Sequence, residues 1–215
     1  EGCIDETACN YNSQVNLPNS ALCEYPEDGL DCGGNLIAQI GDVIDGGYLF
    51  YINESQTGGL IAANESIGPY QWGCYMIDVV DPYFVDVVGT GYKNTMDIYN
   101  NNCITNDGGM TAAEAALNYE YNGYDDWYFP SIKEMVKLFE TLNMPSVYSE
   151  ANSSEYWSST ESMNGNAWDI KGIYDQPSSC NSGPWKNKYN RVIPIRSIGS
   201  WVSGCMDITA CNYNP

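Results

Sequence analysis

The sequence predicts an α+β domain joined to a small disulfide-rich module. Strand-like apolar runs lie on both sides of two segments that open with helix-capping residues, an order typical of α+β folds with antiparallel sheets. Nine cysteines occur in 215 residues, and four of them fall in the first 32. We therefore expect residues 1–36 to form a Cys-rich module, residues 37–199 to form the domain, and residues 200–215 to begin a second module.

A repeated pattern supports this organisation. Residues 2–12 read GCIDETACNYN and residues 204–214 read GCMDITACNYN, so the two copies differ at only two positions. Such self-similarity is typical of tandem arrays. We expect the chain to be one period of a longer array, connected to further copies through these segments.

The first module is rich in turn residues and lacks a helix or strand period. A segment of about 35 residues cannot be stabilised by apolar burial alone, and cross-links are the usual remedy. The sequence leaves three pairings open for its four cysteines. These are Cys3, Cys9, Cys23 and Cys32.

The remaining cysteines are less constrained. Cys205 and Cys211 could pair with each other, with Cys180 or with another chain, and Cys180 itself lies in a polar loop where it could bridge to the second repeat or stay a reactive thiol. An odd total leaves at least one thiol without a partner in the chain. Disulfides of this number indicate an oxidising, extracellular compartment.

The repeat also carries oxygen-bearing side chains of the type that calcium prefers. The alternative is that these side chains cap turns by bonding nearby backbone. The candidate ligands are Asp5, Asn10, Asn12 and Asn16.

In the domain, residues 48–52 and 60–63 are short apolar runs that predict a hairpin, with Gly58 and Gly59 in its turn. Gly89, Thr90 and Gly91 lack a phosphate-binding lysine and are expected to form another turn.

Two helices are predicted by capping boxes, in which Thr111 precedes Glu114 and Ser131 precedes Glu134 by three residues. The second helix carries apolar residues at helical spacing, which predicts one buried face. They are Ile132, Met135, Leu138, Phe139 and Leu142. Residues 155–160, 167–171 and 191–196 are rich in aromatic or β-branched residues and predict three further strands.

The charge balance excludes several functions. Lys and Arg total 8 against 28 Asp and Glu, giving a formal charge of −20, which opposes nucleic-acid binding. The chain has no histidine, which is the usual general base and a common zinc ligand. The adjacent acids Asp125 and Asp126 are typical of surface turns. No apolar run reaches the 18 residues of a membrane span. We expect a non-enzymatic protein.

Several motifs occur in the order found in one family. They are "GGYLFYI" followed by "GGLIAA", "GTGYKNT", "GYDDWYFPSIKEM", "YWSSTE", and Arg191-Val192 with Arg196. Over about 160 residues the chain resembles the Lcl C-terminal domain family, and the repeat resembles Cys-rich repeats of secreted bacterial surface proteins. The resemblance implies a C-type-lectin-like fold with small antiparallel sheets and two helices, surface display, and a disulfide between Cys74 and Cys103.

Two functions follow. The first is a structural one, in which the chain is a repeating subunit of a bacterial surface filament or stalk and its partners are other copies of itself. The alternative is an adhesin or lectin that binds glycans through loops of the domain. Neutral sugars are held by aromatic faces and acidic or amide groups, and the candidate residues are Asp125, Asp126, Trp127 and Trp185. Trp residues inside such motifs more often pack in the core, which is the role that we expect first for Trp127.

Overall fold

The computed structural model describes residues 1–80, 87–148, 154–162, 165–171 and 184–200. These residues form a Cys-rich module followed by an α+β domain with two four-stranded sheets. The strands are β1 (Val43–Ile44), β2 (Gly47–Ile52), β3 (Gly58–Ala63), β4 (Ile67–Gln71), β5 (Glu155–Glu161), β6 (Ala167–Lys171), β7 (Tyr189–Val192) and β8 (Ile195–Gly199). The helices are α1 (Gly91–Asn100), α2 (Ala112–Leu117), α3 (Ile132–Thr141) and α4 (Met144–Val147).

The first sheet has the order β1-β2-β3-β8 and is antiparallel throughout. The predicted hairpin is its centre, with Leu49 opposite Ile61. Gly58 and Gly59, however, lie in β3 and not in the turn. A Cβ atom on Gly59 would lie 2.4 Å from the Tyr51 carbonyl oxygen, so the glycine permits close approach of the two strands.

The second sheet has the order β4-β7-β5-β6. Its outer pairs are antiparallel, but β5 and β7 run parallel, with Tyr156 opposite Arg191. The expectation of purely antiparallel sheets is therefore wrong at this one junction. Parallel neighbours need a long connection between them.

The single strand predicted over residues 191–196 is in fact two strands in different sheets. β7 ends at Val192 and β8 begins at Ile195. Pro194 lies between them, and its carbonyl accepts a hydrogen bond of 2.9 Å from the Ala63 amide. Proline has no amide hydrogen to donate to a sheet ladder, so the strand ends before it and resumes after it.

Both predicted capping boxes are present, at the starts of α2 and α3. Helix α1 was not expected, because it begins at Gly91, the last residue of the Gly-Thr-Gly segment assigned to a turn. A Cβ on Gly91 would lie 2.2 Å from a carboxylate oxygen of Glu134, so glycine is required where the two helices meet. The helices of the described residues are all too short to span a membrane.

The core lies between the sheets and the helices. The predicted face of α3 is buried at Ile132, Met135, Leu138 and Leu142, while Phe139 is partly buried against the same cluster. Trp72 and Trp157 are fully buried in a second cluster under α2. The mixed helix and sheet class is thus confirmed.

Gly47 offers a test of the close packing in the first sheet. A Cβ at this position would lie 2.2 Å from the Ala62 carbonyl oxygen. We expect Gly47→Ala to lower the free energy of unfolding by about 3 kcal/mol, measured by urea denaturation, because backbone must move to admit the methyl group. Gly109→Ala is the control, since its nearest neighbour is the side chain of exposed Asp107. Equal stability of the two variants would contradict the packing.

Candidate functional site: the Cys-rich module and its junction with the domain

Two disulfides of the module join its first residues to later ones. Cys3 bonds Cys23 and Cys9 bonds Cys32. The structure therefore selects one of the three pairings that the sequence left open. No bond joins Cys3 to Cys9, so both disulfides of residues 2–12 run to the segment that follows them.

Backbone hydrogen bonds align these two halves. The Gly2 amide donates to the Leu17 carbonyl at 3.3 Å, and the Asn19 amide donates to the Gly2 carbonyl at 2.9 Å. At the other end, the Cys9 amide donates to the Glu24 carbonyl at 2.7 Å. Residues 2–12 and 17–32 thus form two complementary halves of one module.

Side chains of the repeat reinforce the same contact. Asn10 donates through Nδ2 to the Leu22 carbonyl at 2.7 Å and accepts at Oδ1 from the Glu24 amide at 3.0 Å. The Tyr25 hydroxyl donates to Asp5 at 2.8 Å. The Asn10 side chain therefore makes two hydrogen bonds to the backbone of the second half, as a neighbouring strand would.

The four calcium candidates have other hydrogen-bonding roles or lie exposed. Asp5 accepts from the amide and hydroxyl of Thr7 at 2.9 and 2.8 Å, and these hydrogen bonds lower the pKa of its carboxyl group. Asn12 accepts from the Gln14 amide at 2.9 Å, while Asn16 is exposed. Within the described residues no group of three or more His, Cys, Asp or Glu side chains is arranged to hold a metal ion. Calcium binding stays a prediction.

The module is also fastened to the domain. The Gly29 carbonyl accepts from the Ile37 amide at 2.8 Å, and a Cβ on Gly29 would lie 2.8 Å from Cδ1 of Ile44. Leu30 is buried, and the Leu36 amide donates to the Gln56 carbonyl at 2.9 Å. Backbone and apolar contacts therefore fix the end of the module against the first sheet.

The last described residues of the chain lie beside this junction. The Ser200 amide donates to the Thr57 carbonyl at 2.9 Å. A Cβ on Gly199 would lie 3.3 Å from Cδ2 of Leu30. The first module and the last described residues, Gly199 and Ser200, thus lie close together.

An arginine on β8 holds this part of the sheet to the loop that contains the candidate ligand residues. Arg196 donates to Asp126 through Nε at 2.6 Å and Nη2 at 3.1 Å, and through Nη1 to buried Asp45 at 3.4 Å. Its guanidinium lies 3.9 Å from the ring centroid of Tyr124. The hydrogen bond from Tyr124 to Asp45 raises the tyrosine pKa to about 12.

The proposed ligand residues in and beside this network have different roles. Asp126 is committed to Arg196, and Trp127 is 1% exposed with its indole nitrogen donating to the Tyr124 carbonyl. Trp127 therefore packs in the core and presents no face to a sugar. Asp125 lines a shallow, open depression of about 350 Å³.

Trp185, the fourth candidate, does not line that depression. It is 50% exposed and meets Tyr75 edge to face at 5.7 Å. Tyr75 follows Cys74, which forms a disulfide with Cys103. The structure thus does not bring Trp185 and the Asp125 loop into one site.

A buried ion pair was not foreseen from the sequence. Lys186 and Glu161 are both fully buried and hydrogen-bonded to each other. Glu161 also accepts from the amides of Val79 and Val80 at 2.8 and 2.6 Å. Burial raises the pKa of Glu161 and lowers that of Lys186.

The environment of Lys186 completes this cluster. Its ammonium donates to the Ile77 carbonyl at 2.7 Å and lies 4.4 Å from the ring centroid of Trp72. Lys186 and Glu161 stand 25 residues apart and no local pattern connects them.

A second buried carboxyl group joins α1 to α3. Glu134 is fully buried and accepts from the amides of Gly89 at 2.9 Å, Gly91 at 3.4 Å and Ser131 at 2.6 Å. Burial outweighs these hydrogen bonds and raises its pKa to about 7. Its sequence signal, the capping box, revealed the bond to Ser131 but not the two bonds to α1.

Three of the nine cysteines lie outside the described residues. They are Cys180, Cys205 and Cys211.

Comparisons with known proteins give one low-similarity neighbour to report. No family model matches the chain, and no curated protein matches it. A crystal structure of a fimbrial protein from Bacteroides ovatus ATCC 8483 is similar with a TM-score of 0.48 and 15% identity, over 81% of this chain and 49% of that one. The chain spans about half the length of that protein. At this similarity we assign neither fold nor function from it.

We predict that Arg196→Lys lowers the free energy of unfolding by about 2 kcal/mol, because lysine cannot make the two-pronged contact with Asp126 while also reaching Asp45. Thermal denaturation measures this loss. Lys137→Gln is the control, because the Lys137–Glu140 pair is exposed and should contribute less than about 0.5 kcal/mol. A loss no larger than that of the control would contradict a structural role for Arg196.

We predict that Glu134 makes stability depend on pH. Because the folded state holds its proton more tightly, the free energy of unfolding should be highest below pH 4.5 and fall by about 3 kcal/mol as the pH rises towards 7. Urea denaturation across this range measures the slope. Glu134→Gln carries no titrating proton and should remove this component, whereas an unchanged slope in the variant would rule it out.

Proposed function

We propose that the protein is a non-enzymatic structural subunit of an extracellular bacterial filament or stalk, in which domains are connected through Cys-rich modules. The observation that carries this proposal is the fixed junction between module and domain. The first module is closed by two disulfides and anchored at Gly29 and Leu36, and the residues leading to the second repeat copy lie beside it. A connector that is rigid at the domain transmits load and sets subunit spacing.

The covalent bonds favour an extracellular setting. Three disulfides tie residues within the described part of the chain, two in the module and one in the domain. Such bonds persist in oxidising surroundings and are rare in reducing ones. They also stabilise a small module that has few buried apolar residues.

The position of the connectors gives the expected arrangement of a filament. Leu30 of the first module lies near Gly199, and Ser200 is the last described residue. The described residues at the two ends of the domain therefore lie at the same side of it. In a filament, the modules would follow the axis and the domains would project from it.

The use of charge supports a structural role over a catalytic one. Arg196 and Lys186 bind internal carboxylates, and Arg191 donates to the hydroxyl and carbonyl oxygens of Ser66. Glu134 and Glu161 are saturated by backbone amides. These groups hold elements of the fold together.

The alternative function is adhesion through a glycan. Trp185 favours it, since this half-exposed ring beside Tyr75 offers a face on which a neutral sugar can stack. On either reading we propose that the domain belongs to the Lcl C-terminal type, because the family motifs fall on its sheets, helices and loops.

We predict that the protein purified without reductant forms filaments with a regular subunit repeat in negative-stain electron microscopy. Non-reducing gels should show a ladder of disulfide-linked multimers that collapses to one band with dithiothreitol. The double variant Cys205→Ser and Cys211→Ser is the control. It keeps the three described disulfides and should lose the ladder.

The contrary outcome is equally concrete. Isolated particles and a single band, combined with calcium-dependent binding to a glycan array that Trp185→Ala abolishes, would overturn the filament proposal and support adhesion.

A further inference from the structure

We propose that Lys186 and Glu161 become joined by an isopeptide bond, a covalent amide between the two side chains that forms with the loss of one water. Both side chains are fully buried and hydrogen-bonded to each other. The proposal assigns a covalent modification to a pair that was described above only as an ion pair. It does not rest on the filament proposal, because the bond would form within one folded chain.

The two oxygens of the Glu161 carboxyl group have different environments. Oε1 accepts from the Lys186 ammonium, whereas Oε2 accepts from the amides of Val79 and Val80 at 2.8 and 2.6 Å. Two backbone amides on one oxygen are the arrangement that stabilises the negative oxygen of a tetrahedral intermediate. The nucleophile therefore faces one oxygen, while donors for the developing charge hold the other.

The Lys186 amine is held in place by two further contacts. Its nitrogen donates to the Ile77 carbonyl at 2.7 Å and lies 4.4 Å from the ring centroid of Trp72. Ile77 belongs to the same stretch of backbone as Val79 and Val80, so this stretch positions both the nucleophile and the carboxyl group. Fixed geometry of this kind gives two reacting groups an effective concentration of about 10⁵ to 10⁸ M.

Burial favours condensation of this pair over hydrolysis. Trp72 and Val80, which flank the two groups, are themselves buried, so the site excludes water. Burial also raises the pKa of Glu161 and lowers the pKa of Lys186, which favours the protonated acid and the neutral amine. An amide forms from these two neutral species.

Three other lysines in ion pairs provide an internal comparison. The side chains of Lys93, Lys137 and Lys188 are 49%, 45% and 40% exposed in their pairs with acidic residues. A solvated ammonium group keeps its proton and is a poor nucleophile. We therefore confine the proposal to Lys186.

The condensation needs no oxidant or co-reactant. One ammonium proton passes to Oε1 of Glu161, and the neutral amine then attacks Cδ. The resulting negative charge falls on Oε2, at the amides of Val79 and Val80. A second proton passes from the nitrogen to Oε1, the bond between Cδ and Oε1 breaks, and water leaves. The third hydrogen stays on the nitrogen of the new amide.

The bond would close a loop between two residues that lie 25 positions apart, at the end of β5 and in the segment before β7. A closed loop has fewer unfolded conformations, so the cross-link would stabilise the second sheet. It would also add a cross-link that reductants do not cleave to the three disulfides of the described residues.

The test is the mass of the purified chain after reduction and denaturation. We expect a mass about 18 Da, or one water, below that calculated from the sequence. Trypsin should not cleave after a modified Lys186, so the digest should contain residues 138–171 joined to residues 172–188. Fragmentation of this product should place the link between Glu161 and Lys186.

Two lysine variants separate this bond from dehydration elsewhere in the chain. Lys186→Arg keeps a positive charge beside Glu161 but removes the amine, so it should have the full calculated mass. Lys188→Arg is the matched control, since it changes a more exposed lysine two residues away and should keep the loss of water.

The wild-type chain decides the matter even if Lys186→Arg does not fold. A wild-type chain of full mass would overturn the proposal and leave an ion pair only. A loss of water that persists in Lys186→Arg would also overturn it. So would a loss of about 17 Da, or one ammonia, with Lys186 joined to an asparagine such as buried Asn166.

Discussion

The sheet change at Pro194 is the constraint on which the rest of the domain depends. Residues Tyr189–Val192 pair in the second sheet and residues Ile195–Gly199 pair in the first, so one continuous segment holds both sheets together. The first part brings Tyr156 and Arg191 into register, and the second carries Arg196 to its carboxylates and Gly199 to the module. The same segment therefore contacts the module, the loop that contains Asp126, and both sheets.

Two of the few cations of this strongly acidic protein, Lys186 and Arg196, are buried, whereas Lys93, Lys137 and Lys188 are partly exposed. With 8 Lys and Arg against 28 Asp and Glu, self-repulsion opposes folding. Lys186 pairs with buried Glu161, and Arg196 pairs with buried Asp45 and with half-exposed Asp126. The remaining acidic residues leave a negative surface, which salt screens. The two buried cations join elements that are distant in the chain.

The module and the domain rely on different sources of stability. The domain buries large aromatic and aliphatic clusters, including fully buried Trp72, Trp157 and Phe50. The module buries little beyond Cys3, Ala8 and Leu30, and depends on covalent bonds that restrict its unfolded states. A module stabilised in this way needs no large core. This division fits the proposed role, in which a subunit would both display a domain and join to neighbours.

The sequence by itself determined the local features: the repeat, the central hairpin, both capping boxes and the apolar face of α3 come from short-range patterns. It did not reveal that Gly91 begins a helix, that Pro194 divides a strand between sheets, or that Trp127 is buried while Trp185 is half exposed. The pairing of the module cysteines and the union of Lys186 with Glu161 were likewise decided by the tertiary structure. The physical reason is range. Capping and periodicity act over three or four residues, whereas sheet membership, ion pairing and disulfide choice depend on which distant segments are brought together.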